Sequence, residues 1–149
     1  MENQLTFGDI HIGFIDKNNS PTERKDATAV FLIGFINGLL ITGRNERGWD
    51  IPGGHVESTD LNLFSALQRE TLEESGVILK TATPYAILKF DSRDDVMLFY
   101  TSKDCILDEF IPKEDAFEMK LMAIPEFIEK YYGKKNIMEL LINKALDII

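Results

Sequence analysis

Three glutamates lie close together in the sequence, at a spacing that places them on one side of a helix. Within the segment Ile51–Val77 these are Glu70, Glu73 and Glu74. At about 100° per residue their carboxylates fall within an arc of roughly 100°. Such crowding destabilises a helix unless positive charge lies among the carboxylates, and Arg69 offsets only part of the repulsion. The pattern therefore predicts a site for Mg²⁺, with Mn²⁺ as the alternative, because these ions prefer oxygen ligands and bind substrate phosphates.

The residues around the glutamates predict the helix that carries them. Apolar residues expected to face a core recur at helical spacing: Leu61, Phe64, Leu67 and Leu72. Thr59 or Asp60 is the predicted N-cap, and Gly76 the predicted C-terminal stop. Ala66 lies one turn before Glu70 on the same stripe, so we expect no bulky side chain to obstruct the approach to the carboxylates.

A glycine turn, Pro52-Gly53-Gly54, precedes this helix. Two glycines permit backbone angles that other residues avoid, and they let a carbonyl approach a ligand closely. The turn and the acidic helix are therefore expected to form one site.

Taken together, these residues resemble the Nudix box, the signature of the Nudix hydrolases, written G-x5-E-x7-R-E-U-x-E-E-x-G-U with U an aliphatic residue. Arg69–Val77 matches its C-terminal half, except that Thr71 replaces an aliphatic residue. Gly54 would be the first glycine, but the arginine follows it by fifteen steps instead of fourteen, and the first glutamate is missing. We interpret this as a one-residue insertion in the loop, with Asp60 or Glu57 replacing the lost acid.

The resemblance implies a fold and a reaction. The fold would be α/β (α+β), the Nudix α/β/α sandwich with a mixed central sheet. The reaction would be metal-dependent hydrolysis of a pyrophosphate bond in a nucleoside diphosphate derivative. Glu70, Glu74 and the Gly53 carbonyl would bind the metal. Glu73 would join them or act through water, and Arg69 would orient the glutamates. Glu70 could instead be the catalytic base.

The substrate is predicted less closely than the reaction. The run Arg47–Glu57 resembles small bacterial nucleoside triphosphate pyrophosphohydrolases of the MutT kind, including those acting on oxidised guanine nucleotides. A nucleotide-sugar or dinucleoside polyphosphate hydrolase is the runner-up, and a non-catalytic nucleotide-binding regulator is the alternative from another class. No set of residues in the sequence can be identified as the one that would recognise a purine base.

Five charged residues outside the box are further candidates for contacts with substrate or metal. Arg44 and Arg47 are the nearest cations before the glycine turn. One hypothesis is that one of them contacts a leaving phosphate, and the alternative is that both are solvated. Glu114, Asp115 and Glu118 lie in or beside an acidic loop expected over 107–117. Nudix enzymes frequently draw a further metal ligand or base from this region, and the alternative is a solvated acidic loop.

Composition limits the classes of partner. The chain has 149 residues, 44% hydrophobic and 28% charged, which suits one globular domain over 1–149. A net charge of -9 without a basic stripe disfavours extended nucleic acid and anionic membranes. Cys105 is the only cysteine, which excludes an intrachain disulfide. The absence of a signal-like start or a long apolar run predicts a soluble cytoplasmic protein.

Periodicity and turn residues predict the other elements. Strands or hairpin arms are expected over 6–16, 27–36, 39–42, 49–51, 85–90, 96–102 and 118–124, and helices over 125–132 and 136–149. Turns or loops are expected over 17–26, 37–38, 43–48, 80–84 and 91–95. Gly133 is the predicted stop of the first of these helices, and Asn136 with Glu139 the predicted cap of the second. The apolar surface of the last helix is wide enough for docking on the sheet or for a homodimer contact.

Overall fold

A computed structural model describes residues 3–15 and 26–149. Its strands are β1 (Asn3–Phe7), β2 (Ile10–Phe14), β3 (Ala29–Ile36), β4 (Leu39–Asn45), β5 (Gly48–Asp50), β6 (Gly53–His55), β7 (Val77–Leu79), β8 (Thr83–Phe90), β9 (Val96–Ser102), β10 (Cys105–Leu107) and β11 (Glu118–Met122). Its helices are α1 (Leu63–Ser75), α2 (Ile124–Lys130) and α3 (Lys135–Ile148). The polar turn predicted over 17–26 lies, except for its last residue, outside the described residues.

Nine of the described strands form one mixed sheet. Its main path runs β1-β2-β8-β9-β3-β4-β11, with β5 paired to β4 and β6 to β3. The β3–β9 pair is parallel, and the other pairs along this path are antiparallel. The remaining two strands, β7 and β10, pair with each other in a separate small sheet. The predicted mixed central sheet is confirmed.

Helices cover both faces of the sheet, because alternate residues of a buried strand point to opposite sides. In β3, Leu32 packs in the cluster that includes Leu67 of α1. The next residue, Ile33, packs in the cluster that includes Phe127 of α2 and Leu141 of α3. Both sides of the strand are therefore core, and the predicted α/β/α layering is confirmed.

The β3–β4 hairpin turns at Asn37-Gly38, as predicted. The φ angles of these two residues are 52° and 77°, which is the left-handed conformation that the tightest hairpin turns require. Strand β4 then continues through Asn45, three residues beyond the predicted end, because it pairs with β5 and β11. The predicted loop over 43–48 is therefore shorter, and Arg44 lies on a strand.

Two predicted helix boundaries near the C-terminus are wrong. Helix α2 ends at Lys130 because its C-cap, Tyr131, is extended, so Gly133 is not its stop. Helix α3 begins at Lys135, and Asn136 lies inside its first turn without acting as the cap. Its buried face does dock on the sheet: the Tyr85 hydroxyl donates a hydrogen bond to the Leu141 carbonyl at 2.8 Å. The alternative role of this face, a homodimer contact, stays a prediction.

No helix in the described ranges 3–15 and 26–149 combines the length and the apolar character that crossing a membrane requires.

Candidate active site

Helix α1 carries the glutamate stripe and is capped at both ends. The Asn62 side chain accepts a hydrogen bond from the Ser65 N–H at 2.8 Å, which makes it the N-cap. The predicted caps, Thr59 and Asp60, are wrong because the chain turns at 57–60 before the helix begins. Gly76 is the C-cap with φ 70°, as predicted, and its N–H donates to the Leu72 carbonyl.

The buried face of α1 differs in part from the predicted one. Leu67 is buried, whereas Leu61 precedes the helix and is 91% exposed, and Leu72 is also exposed. Ala66 is completely buried in the core, so it does not provide an open approach to the carboxylates. The residues buried on this face are Leu63, Ala66, Leu67, Thr71 and Ser75.

Thr71 occupies the aliphatic position of the motif and is buried with its hydroxyl unpaired. Its side chain has no exposed surface, and Oγ1 has no hydrogen-bond partner among the described residues. Its carbonyl accepts from the Ser75 hydroxyl at 2.6 Å. A buried hydroxyl without a hydrogen-bond partner lowers the free energy of unfolding.

Arg69 fastens the loop before α1 to the helix. Its guanidinium forms two hydrogen bonds with Asp60, Nε to Oδ1 at 2.9 Å and Nη2 to Oδ2 at 3.0 Å. The Asp60 side chain is only 5% exposed, and these bonds lower its pKa. Glu57, the other acid considered as a replacement, lies at 3.4 Å from Nη2 and is mostly exposed. Of the two acids, Asp60 thus makes the bidentate pair.

Glu70 is held between Arg69 and the glycine strand. Its Oε1 accepts a hydrogen bond from Arg69 Nη1 at 2.8 Å. A Cβ atom on Gly54 would lie 2.9 Å from the Glu70 carboxyl carbon, so a larger residue at this position would require the Glu70 carboxylate to shift. Burial raises the pKa of Glu70, although Arg69 opposes the rise.

Glu74 faces the other glycine. Its Oε1 accepts a hydrogen bond from the Gly53 N–H at 2.7 Å. Burial raises the pKa of Glu74 to about 8, and the nearby carboxylates of Glu70, Asp50 and Asp115 add to the rise. Gly53 itself lies in β6, not in a free turn, and any Cβ there would clash with the Val30 carbonyl and the Phe31 ring.

The three glutamates are near one another but do not form a finished ligand set. Glu73 is 48% exposed and lies 3.5 Å from Arg69 Nη1, whereas Glu74 faces Gly53. Within the described part of the chain, no three His, Cys, Asp or Glu side chains converge as a group able to hold a metal ion. The donor chemistry nevertheless fits a hard cation, because every ligand offered is an oxygen and the half-buried Glu74 carboxylate forms no ion pair with the residues of 3–15 and 26–149.

Comparison with known proteins decides the family. The NUDIX domain family model matches residues 23–141. This chain belongs to the NUDIX family of hydrolases. It is 31% identical over 119 residues to an uncharacterised 17.7 kDa protein in the e-segB intergenic region of Enterobacteria phage T4, a match that covers 66% of this chain and 75% of the phage protein.

Solved structures share the Nudix fold at low identity. The Bacillus subtilis pyrophosphohydrolase BsRppH matches with a TM-score of 0.67 and 18% identity, over 99% of this chain and 94% of its own. The NUDIX domain of Shewanella oneidensis NrtR, solved with ADP ribose, matches with a TM-score of 0.62 and 15% identity, over 89% and 92% of the two chains. At these identities the likeness establishes the fold.

An open cleft of about 290 Å³ lies beside Glu74 in this Nudix protein. Of the candidates outside the box, Arg44, Arg47 and Asp115 line it. The other two candidates, Glu114 and Glu118, are exposed residues outside this lining. Glu118 forms an ion pair with Arg44 at 3.0 Å across the β4–β11 pair, so Arg44 is not simply solvated.

A third arginine, Arg93, lies at this cleft and was not predicted from the sequence. Arg93 lines the cleft from the turn between β8 and β9. Its guanidinium lies 4.0 Å from the centre of the Phe90 ring, and its Nε lies 3.0 Å from Asp95. It follows Gly53 by forty residues, in a turn whose composition suggested only an acidic surface loop. No local signal marks it, since the sheet alone brings it to the cleft.

Proposed function

We propose that this Nudix hydrolase cleaves a pyrophosphate bond in a nucleoside diphosphate derivative, and that its substrate is a nucleoside triphosphate, as for enzymes of the MutT kind. One observation carries the proposal: the Glu74 carboxylate, bound to the Gly53 N–H, faces a cleft that three arginines line. Acidic groups and cationic side chains on one cleft suit a metal-bound polyphosphate.

The metal-binding residues would be Glu70, Glu74 and the Gly53 carbonyl, with Glu73 joining directly or through water. When bound, Mg²⁺ or Mn²⁺ would neutralise phosphate charge and lower the pKa of a water molecule. Arg69 holds Glu70 in place through the 2.8 Å contact and ties the loop to the helix through Asp60. We assign it a positioning role, since its side-chain hydrogen bonds go to Asp60 and Glu70.

The arginines provide cationic groups at the cleft of a protein whose net charge is negative. With a net charge of -9, the protein as a whole repels a polyphosphate. Arg44, Arg47 and Arg93 bring three guanidinium groups to a cleft that carboxylates also line, and a guanidinium can bind phosphate oxygens in pairs. We therefore assign them to the phosphates that the metal does not bind.

Two other functions have supporting observations. A nucleotide-sugar or dinucleoside polyphosphate hydrolase is supported by the length of the binding region, because a second cleft continues from the first. A non-catalytic nucleotide-binding regulator is supported by the lack of a convergent ligand set among the described residues. For either function we place the protein in the cytoplasm, as one domain over 1–149.

A screen with Mg²⁺ tests the proposal. Nucleoside triphosphates, nucleotide sugars and dinucleoside polyphosphates are supplied separately, and released pyrophosphate is resolved from phosphate and monophosphates. We expect pyrophosphate and a nucleoside monophosphate from a triphosphate. Turnover should fall by orders of magnitude in Glu74→Gln and stay unchanged in Glu139→Gln, which makes the same substitution at an exposed position of α3. Tight binding of a nucleotide without turnover would favour the regulator.

A further inference from the structure

The loop over 108–117 lies against the C-terminal end of α1. At its start, the Asp108 N–H donates a hydrogen bond to the Gly76 carbonyl at 2.9 Å. A Cβ atom on Gly76 would lie 2.6 Å from the Phe110 Cα, so the loop backbone packs directly on the end of the helix. At the other end of the loop, the Phe117 N–H donates to the Arg44 carbonyl of β4 at 3.1 Å. Backbone contacts therefore hold both ends of the loop.

Lys113 ties the middle of this loop to α1. Its Nζ donates a hydrogen bond to the Glu73 carbonyl at 2.9 Å. That carbonyl is among the last four of the helix, which have no hydrogen-bond partner within the helix itself. Cations stabilise this end of a helix, yet the last turn of α1, Leu72–Ser75, includes no lysine or arginine. Lys113 supplies the cation from a position 40 residues further along the chain.

The backbone of Lys113 closes a tight turn. Its N–H donates to the Ala116 carbonyl at 2.8 Å, and the Ala116 N–H donates to the Lys113 carbonyl at 3.3 Å. Ala116 is buried, which anchors the far end of the turn. Lys113 thus contacts the helix through its side chain and closes the turn through its backbone.

This turn brings Asp115 to the cleft beside Glu74, because both residues line that cleft. Burial is the main cause of the raised pKa of Glu74, and the charge of Asp115 adds to the rise, as expected of carboxylates that repel each other. Glu73, whose carbonyl binds Lys113, directly precedes Glu74 in α1. The Lys113 contact therefore fixes the turn relative to Glu74.

We infer that Lys113 is a positioning residue of the proposed metal site, which holds the Asp115 carboxylate within reach of an ion bound by Glu74. Without an ion the two carboxylates repel each other, and this repulsion favours opening of the turn unless a bond to the helix opposes it. Lys113 acts through Asp115, since its side-chain hydrogen bonds go to the backbone carbonyls of Glu73 and Ile111. The inference rests on the proposed function, because the ion is the one expected at Glu74.

Metal binding without nucleotide tests this role. The Kd of Mn²⁺, used in place of Mg²⁺, is measured from the electron paramagnetic resonance signal of the free ion. Lys113→Met keeps the length of the side chain but cannot donate a hydrogen bond, so it should raise this Kd by about tenfold, as losses of residues that orient metal ligands do. Lys113→Arg donates again and should restore the Kd to within about twofold of the wild-type value. Lys103→Met, a matched change at another exposed lysine, should leave the Kd unchanged.

A double-mutant cycle separates positioning from general damage. Asp115→Asn should weaken Mn²⁺ binding at least as much as Lys113→Met does. Adding Lys113→Met to Asp115→Asn should weaken it no further, because the lysine acts through that carboxylate. Amide hydrogen exchange in EDTA gives a readout without metal: the Ala116 and Phe117 N–H groups should exchange faster in Lys113→Met, whereas the amides of α3 should be unaffected.

The results distinguish failure of this inference from failure of the proposed function. Wild-type Mn²⁺ affinity in Lys113→Met would overturn the inference alone, as would additive losses in the double variant. Mn²⁺ binding that follows the expected pattern, without hydrolysis of any nucleotide, would refute the proposed function and leave the inference standing. If the wild-type protein bound no Mn²⁺, both would be overturned.

Discussion

Replacing Glu74 with glutamine should abolish activity and at the same time stabilise the metal-free protein. Glutamine has the size of glutamate and keeps an oxygen that can accept the hydrogen bond from the Gly53 N–H. It removes the negative charge that would bind the proposed metal ion and that burial makes unfavourable in the metal-free protein. The two effects therefore have one cause and opposite signs.

The magnitude follows from the pKa of Glu74, which rises from 4.5 to about 8 on folding. A carboxyl group whose pKa is raised on folding stabilises the fold below its unfolded pKa, and this contribution is lost as pH rises through the folded pKa. Between pH 4.5 and pH 7 the loss amounts to about 3 kcal/mol, at roughly 1.4 kcal/mol per pH unit. The neutral variant avoids this cost, which corresponds to a rise in Tm of about 6–12 °C at pH 7.

Thermal unfolding in EDTA measures the effect. The Tm of the wild-type protein should fall between pH 5 and pH 8 by more than that of Glu74→Gln, and Mg²⁺ should raise the wild-type Tm far more than that of the variant. Glu139→Gln, on the exposed side of α3, should behave as wild type in both respects. A variant that is less stable than wild type in EDTA at pH 7, or one that keeps near wild-type turnover, would refute the reasoning.

Three further predictions concern the helix, the glycine strand and the arginines. Thr71→Val should raise the free energy of unfolding by about 1 kcal/mol in urea denaturation, because it removes a buried hydroxyl that has no partner among the described residues; a loss of stability would contradict this. Gly54→Ala should lower kcat/KM by roughly tenfold to a hundredfold while the fold is retained, since the new methyl group displaces the Glu70 carboxylate; unchanged kinetics would be inconsistent with that contact. Arg93→Gln should raise KM for the triphosphate about fivefold with little change in kcat, because a half-exposed cation contributes modestly to phosphate binding; steady-state kinetics decide, and an unaltered KM would remove Arg93 from the site.

Local sequence patterns predicted several features correctly. The stop of α1 at Gly76 and the hairpin at Asn37-Gly38 each depend on backbone angles that particular residues favour. The helical spacing of Glu70 and Glu74 likewise depends only on residues within one turn. Such features are set by neighbours in the chain, so a single sequence is enough to find them.

Predictions failed where a residue's environment comes from elsewhere in the chain. Leu61 has the spacing of a core residue, but the chain turns before α1 begins, and the side chain is exposed. Asp60, predicted as a possible cap, instead pairs with Arg69 across the loop. The short strands β6 and β7 were not predicted, because the glycines of β6 favour a turn and the three apolar residues of β7 show no alternation.

The sequence by itself determined the family resemblance, the acidic helix and the oxygen-rich chemistry of the site, because these depend on residue types at short spacings. Only the tertiary structure decided which groups meet at the clefts. Asp50 and Tyr132 form a hydrogen bond across 82 positions of the chain, and Arg93 reaches the cleft beside Glu74 from a distant turn. Such contacts depend on the order and pairing of strands in the sheet, which no local pattern of residues encodes.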